Sequence, residues 1–229
     1  MKLILLPGMD GTGLLFKPLL EKLSDDISSQ TITYPTDSKL NYSQLTSLVV
    51  EKLPKNEPFI LLAESFSGSI GYAIASNPPK NLKAVIFVAT FLTLPNKLLR
   101  ISTILPLSLL LKLPLPNFII KHFLLGKDIK EPTVALFKES LKMVGSNLLT
   151  FRVREMSKLK CGEKPVQIPC AYITPKNDKL VSHRHIDEFK QLASQIEIIK
   201  IQGPHFILQA KPKESAKVIE KYSMKLSSQ

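Results

Sequence analysis

An α/β protein, with about six mostly parallel strands and helices on both faces of the sheet, is what this sequence predicts, and three observations carry the prediction. Short apolar or β-branched runs alternate with stretches of helical periodicity. Glycine and proline punctuate most junctions between them. The run Leu82 to Ala89 is apolar at nearly every position, the pattern of a strand covered on both faces.

Lys2 to Leu6 is the first strand, and Leu14 to Leu23 follows with apolar residues at helical spacing. Ile27 to Tyr34 shows β-branched alternation closed by Pro35, and Tyr42 to Leu53 is helical up to Pro54. Pro58 to Ala63 reads as a strand, the residues after Ser65 as a helix reaching Pro78, and Leu82 to Ala89 as a strand again. A βαβ series of this kind implies a parallel sheet. Between Phe91 and Lys164 leucine-rich helical segments broken by prolines replace the strands. This predicts a helical cap, 91–164, inserted into a core made of 1–90 and 165–229. The series resumes with the strand Gln167 to Thr174, a helix from Ser182 (its expected N-cap) to Leu192, the strand Ile196 to Ile201 and a closing helix from Pro212 to Leu226.

Composition narrows the function classes. At 229 residues and 44% hydrophobic content the chain can bury one sizeable core with an insertion. Its net charge is +12, and segment 91–164 alone holds 13 Lys+Arg against 5 Asp+Glu, a net +8. The basic residues therefore lie mainly in a leucine-rich segment, and no zinc-ligand spacing, helix-turn-helix or aromatic RNA-binding motif accompanies them, which argues against nucleic-acid binding. Leucines beside lysines also suit an interfacial helix, so peripheral membrane contact is a secondary expectation. Cys161 and Cys170 are too few for a disulfide framework and lack metal-ligand spacing. The apolar start, Met1 to Leu6, ends at Pro7-Gly8, short of a signal peptide, and the expectation is a cytoplasmic protein. Ile101 to Leu125 is interrupted by prolines, lysines and His122, so no membrane span is expected.

The chemistry centres on Ala63-Glu64-Ser65-Phe66-Ser67-Gly68, where an apolar strand stops at a serine between small residues. A tight strand-to-helix turn that exposes a serine needs small residues two before and two after it, the pattern G-x-S-x-G, here filled by Ala63 and Ser67. Asp178, in the loop after one later strand, and His205, after another, complete the order Ser, Asp, His. Strand ends of a parallel sheet share one edge, so the three can converge. His205 would then take the proton of Ser65, and Asp178 would orient the imidazole. The loop Pro7-Gly8-Met9-Asp10-Gly11-Thr12-Gly13 could present backbone N–H groups to an anion. It matches neither G-x-x-x-x-G-K-[ST] nor G-x-G-x-x-G, which argues against phosphate-loop or dinucleotide binding. The oxyanion donors would be the N–H groups of Met9 and Phe66. Each feature alone has an ordinary structural reading: a structural histidine after a strand, an Asn-Asp turn, a glycine-rich turn. His122, His183, His185, Asp10 and Asp37 are poorer placed as members.

L-P-G-M-D-G-T-G, A-E-S-F-S-G, Asn177-Asp178 with Leu180-Val181, and Gly203-Pro204-His205-Phe206 together resemble the α/β-hydrolase superfamily over essentially the whole chain. The resemblance implies a serine hydrolase with a helical cap after the strand that follows the nucleophile helix. It also implies that the family's first antiparallel hairpin is absent and that Pro7 stands where many members have histidine, as in plant esterase and acyltransferase proteins with an L-P-G-x-D-G-T-G loop. Among small members the chain is similar to carboxylesterases of the kind that act on the methyl ester of pimeloyl-carrier protein in biotin synthesis. The basic cap would suit an acidic acyl-carrier protein as partner, with Arg152, Arg154 and Lys158, at helical spacing, as candidate docking residues, or it is only a solvated outer face; no cofactor or metal is expected. A thioesterase or acyltransferase on the same triad, or a silent hydrolase fold used for binding, are the alternatives.

Overall fold

The computed structural model describes residues 1–95 and 116–227. Much of the apolar region Ile101 to Leu125 and part of the expected cap, 96–115, lie outside the described residues.

Six strands, β1 (Lys2–Leu6), β2 (Ser29–Thr31), β3 (Phe59–Glu64), β4 (Leu82–Val88), β5 (Cys170–Pro175) and β6 (Ile196–Ile201), pair in the order β2-β1-β3-β4-β5-β6. Every pair is parallel. Side chains alternate across a strand, and the two faces collect two separate cores. On one face Ile4, Leu61, Ala63, Val85, Phe87 and Tyr172 meet helices α2 (Tyr42–Lys52), α3 (Gly68–Ala75) and α7 (His185–Leu192). On the other, Leu3, Leu5, Leu62, Ile86 and Ile173 meet α1 (Lys17–Leu20), α8 (Ile207–Ala210) and α9 (Pro212–Ser227). Strands covered on both sides need apolar residues at successive positions, and β3 is buried throughout.

Between β4 and β5 the described residues are helical: α4 (Asn117–Ile119) runs into a π turn (Ile120–Leu125), then come α5 (Glu131–Val144) and α6 (Ser146–Ser157). No helix of the described residues is long and apolar enough to cross a membrane.

Three expectations are corrected. The strand expected over Ile27 to Tyr34 shrinks to Ser29–Thr31, because β2 is an edge strand and its continuation turns toward the site, where Tyr34 N–H donates to Gly11 O (2.8 Å). The helix expected over Leu14 to Leu23 is only a 3₁₀ turn, Leu14–Phe16, followed by α1. Ser182 does not cap α7: that helix starts at His185 without a side-chain cap, since the residues before it are used in turns, with Ser182 O accepting from His185 N–H at 3.1 Å.

Candidate active site

The chain leaves β1 toward β2 on one side and returns to β3 on the other, so a crevice opens at the carboxyl ends of β1 and β3. The loop Pro7 to Gly13 and Ser65 lie there. Ser65 has φ 47°, a left-handed conformation uncommon for a residue with a side chain and characteristic of a strained turn that exposes its hydroxyl. The small residues around it have visible reasons. A Cβ on Gly71 would lie 2.8 Å from Ala63 Cβ, and one on Gly68 would collide with Thr90, whose hydroxyl donates to Ser65 O. Ser67 stands where the motif has glycine, and its hydroxyl is put to use. It donates to Pro7 O and accepts from the Tyr34 hydroxyl, tying the serine turn to the glycine loop.

Ser65 Oγ lies 3.0 Å from His205 Nε2, and His205 Nδ1 lies 2.8 Å from Asp178 Oδ2. Asp178 Oδ1 accepts from the N–H groups of Leu180 (2.8 Å) and Val181 (2.9 Å), which fixes the carboxylate from the far side. Burial pushes the Asp178 carboxyl up, but the His205 ring and these two N–H groups outweigh it and hold the group below its usual value. For His205, burial alone would lower the affinity for a proton; the Asp178 carboxylate reverses this, with help from Glu64, and the imidazole titrates above its ordinary value. The rivals have other partners: His185 is buried against Glu188 and Pro95 O, Thr174 meets His183, and Asp10, which borders the same cavity as Ser65, accepts from Thr12.

Phe66 N–H belongs to the start of the 3₁₀ turn Ser65–Ser67, where a helical N–H has no partner of its own. Met9 lines the same cavity, and its N–H has no acceptor among the described residues. The cavity measures about 300 Å³. Its floor is Gly8, Met9, Glu64, Ser65 and His205; its roof is Leu124, Phe137, Leu141, Leu149, Val153 and Met156 from the helical segment after β4. Catalytic-type polar groups thus sit at one end of an apolar chamber. Among the described residues no group of three or more His, Cys, Asp or Glu could hold a metal ion.

Two residues escaped the sequence reading. Glu64, next to Ser65, is buried, accepts from Gln209 Nε2 at 3.0 Å, and has its pKa pushed up to about 7, chiefly by burial. A carboxylate inside an otherwise apolar strand was the available signal. Arg152, expected on an exposed docking face, is only 2% exposed and reaches into the core side of the site. Its signal was position: with Leu148, Leu149, Val153 and Met156 it falls on the apolar stripe of α6. Lys158 pairs with Glu155, and Arg154 is exposed, so of the three only Arg154 and Lys158 face outward.

No family model and no curated protein matches the chain in sequence. Solved structures do match in shape. An esterase from Exiguobacterium antarcticum superposes with a TM-score of 0.77 at 12% identity, covering 97% of this chain and 91% of that one. A lipase-esterase related protein from Clostridium acetobutylicum gives 0.75 at 14% identity, covering 96% and 93%. ClbQ, from the colibactin NRPS/PKS pathway, gives 0.73 at 12% identity, covering 99% and 98%. With this agreement over nearly the full length of each partner, and six parallel strands between two helical layers, the chain has the α/β-hydrolase fold.

Proposed function

We propose that the chain is a serine hydrolase that cleaves carboxylic esters through an acyl-enzyme. The observation that carries this reading is the hydrogen-bonded line from Ser65, in its strained turn, through His205 to Asp178, opening onto an apolar cavity. Ser65 Oγ attacks the carbonyl carbon while His205 Nε2 takes its proton; His205 then gives the proton to the leaving alcohol, and water repeats the sequence on the acyl-enzyme. Asp178 keeps Nδ1 protonated and stabilises the imidazolium. The N–H groups of Met9 and Phe66 receive the oxyanion. Because all three members are present and hydrogen-bonded, a silent binding module is disfavoured.

The cavity, near the lower end of the roughly 300–1,000 Å³ usual for ligand pockets, suits one acyl group of moderate length. The net +8 of segment 91–164 supports the finer reading, an acyl methyl ester carried by an acidic protein as in biotin synthesis. That the fold is shared with a protein of an NRPS/PKS pathway is compatible with such a substrate.

Fluorophosphonate labelling with a panel of acyl esters and thioesters tests the reading. Wild-type protein should label and turn over, and Ser65→Ala should lose labelling and about 10⁵-fold or more in kcat. Labelling that persists in Ser65→Ala refutes the assignment. Within the panel, turnover of a carrier-protein ester should fall with rising salt while that of a small neutral ester stays level; equal salt response removes the carrier-protein reading.

A further inference from the structure

Arg152 is a cation in a place where charges are seldom put. Among the described residues it forms no salt bridge, although the Asp10 carboxylate is near enough to favour its charge. Burying a charge without a direct ionic partner is unfavourable unless hydrogen bonds compensate. Here backbone carbonyls do so. Nη1 donates to Met9 O (2.8 Å) and Asp10 O (2.7 Å), Nη2 donates to Pro35 O (2.8 Å), and the guanidinium carbon lies 5.9 Å from the centre of the Tyr34 ring. The fork is planar and rigid, so gripping two consecutive carbonyls leaves the dihedrals around Met9 and Asp10 little freedom.

The glycine loop is shaped to admit this side chain. At Gly11, φ is +71°, and an added Cβ would lie 2.7 Å from Arg152 Nη1 and 3.0 Å from Tyr34 Cβ. Pro7 O, at the start of the same loop, is held by Ser67 of the nucleophile turn. One end of the loop is thus fastened to the serine turn of the core, and its middle to α6. The same helix carries Leu149, Val153 and Met156, which line the cavity.

We propose that Arg152 is a positioning residue: it aligns the Met9 N–H for the oxyanion and makes that alignment depend on how α6 is seated over the site. The proposal rests on the hydrolase reading above. An acyl chain that packs on α6 presses on the helix that holds the oxyanion loop, so binding remote from the carbonyl is converted into transition-state stabilisation.

The test compares wild type with Arg152→Lys and Arg152→Gln, with melting curves run alongside. A displaced oxyanion donor should lower kcat about ten- to a hundredfold with KM little changed. Affinity for an acyl trifluoromethyl ketone, whose hemiketal oxyanion occupies the same position, should fall in step with kcat. Added guanidinium should restore part of the turnover of Arg152→Gln. Folded variants with unchanged kcat, or with lower kcat and unchanged ketone affinity, overturn the proposal. Hydrogen exchange on the wild-type protein decides independently should the variants not fold. The ketone should slow exchange in 7–13 and 146–157 together, and protection of the loop without the helix would refute the coupling. Fluorophosphonate labelling of wild type keeps the two readings apart. Without it the hydrolase reading fails; with it, silent Arg152 variants defeat this proposal alone.

Discussion

The two walls of the cavity are built on different principles. On the core wall, polar atoms are set by strand ends and backbone hydrogen bonds: Asp178 is held by Leu180 and Val181 N–H, and Ser65 O by Thr90. On the wall contributed by α5 and α6 the contacts are apolar, from Phe137, Leu141, Leu149, Val153 and Met156, with Arg152 as the polar join. Directional bonds tolerate little displacement, whereas apolar contact is non-directional and scales with area. The core wall should therefore respond to substitution by losing chemistry, and the other wall by changing what it accepts.

The sharpest way to break this contrast is Asp178→Asn. The amide cannot hold the imidazole in the required tautomer, and kcat should fall about 10⁴-fold with the fold intact; a loss below tenfold in stopped-flow or steady-state assays would mean another carboxylate does the work. In the wild type kcat/KM should rise with pH as His205 loses its proton. The midpoint should lie above the ordinary histidine value of about 6.5, because the Asp178 carboxylate outweighs burial.

A smaller effect is expected on the other wall. Leu149→Trp, at a buried position facing the cavity, should shorten the pocket. The preference between long and short acyl esters should shift about 10- to 100-fold in kcat/KM, with the shortest ester nearly unaffected. If short and long esters lose rate equally, the helical wall is part of the chemistry and the contrast fails.

The last effect is on stability rather than on rate. The Glu64 carboxyl is pushed up to about 7 from an ordinary 4.5, so the folded state binds its proton more tightly than the unfolded chain does. Its contribution is fully present below about pH 4.5 and is lost as pH rises to about 7, a difference of at most about 3 kcal/mol. Glu64→Gln keeps an acceptor for Gln209 and removes this slope, so thermal melts at pH 5 and pH 8 should converge relative to wild type. An unchanged gap would show that Glu64 stays ionised in the folded protein.

Legibility followed the range of the forces involved. β1 and β6 run over the expected residues, Lys2–Leu6 and Ile196–Ile201, because apolar runs and their proline or glycine boundaries are local. β2 was overextended: Ile32 N–H still donates to Leu5 O of β1, but β-propensity at Tyr34 is overridden by its backbone bond to Gly11 O of the glycine loop. Ser65, Asp178 and His205 could be picked out because a parallel sheet brings strand ends to one edge whatever the loop lengths between them. The glycine loop was read for the N–H groups it could present to an anion; that its Met9 and Asp10 carbonyls accept from the Arg152 guanidinium was not visible in the local pattern.

By itself the sequence determined the order of strands and helices, the small residues of the serine turn and the identity of the three polar residues at the strand ends, because each depends on neighbours a few positions away. Only the tertiary structure decided that Arg152 is buried rather than exposed, that Ser67 fastens the serine turn to Pro7, and that Glu64 is buried beside the serine. These depend on partners 60 to 145 positions distant, as in Ser67 to Pro7 and Glu64 to Gln209. Whether a polar side chain reaches water or a buried carbonyl is settled by what the folded chain packs over it, which no local pattern encodes.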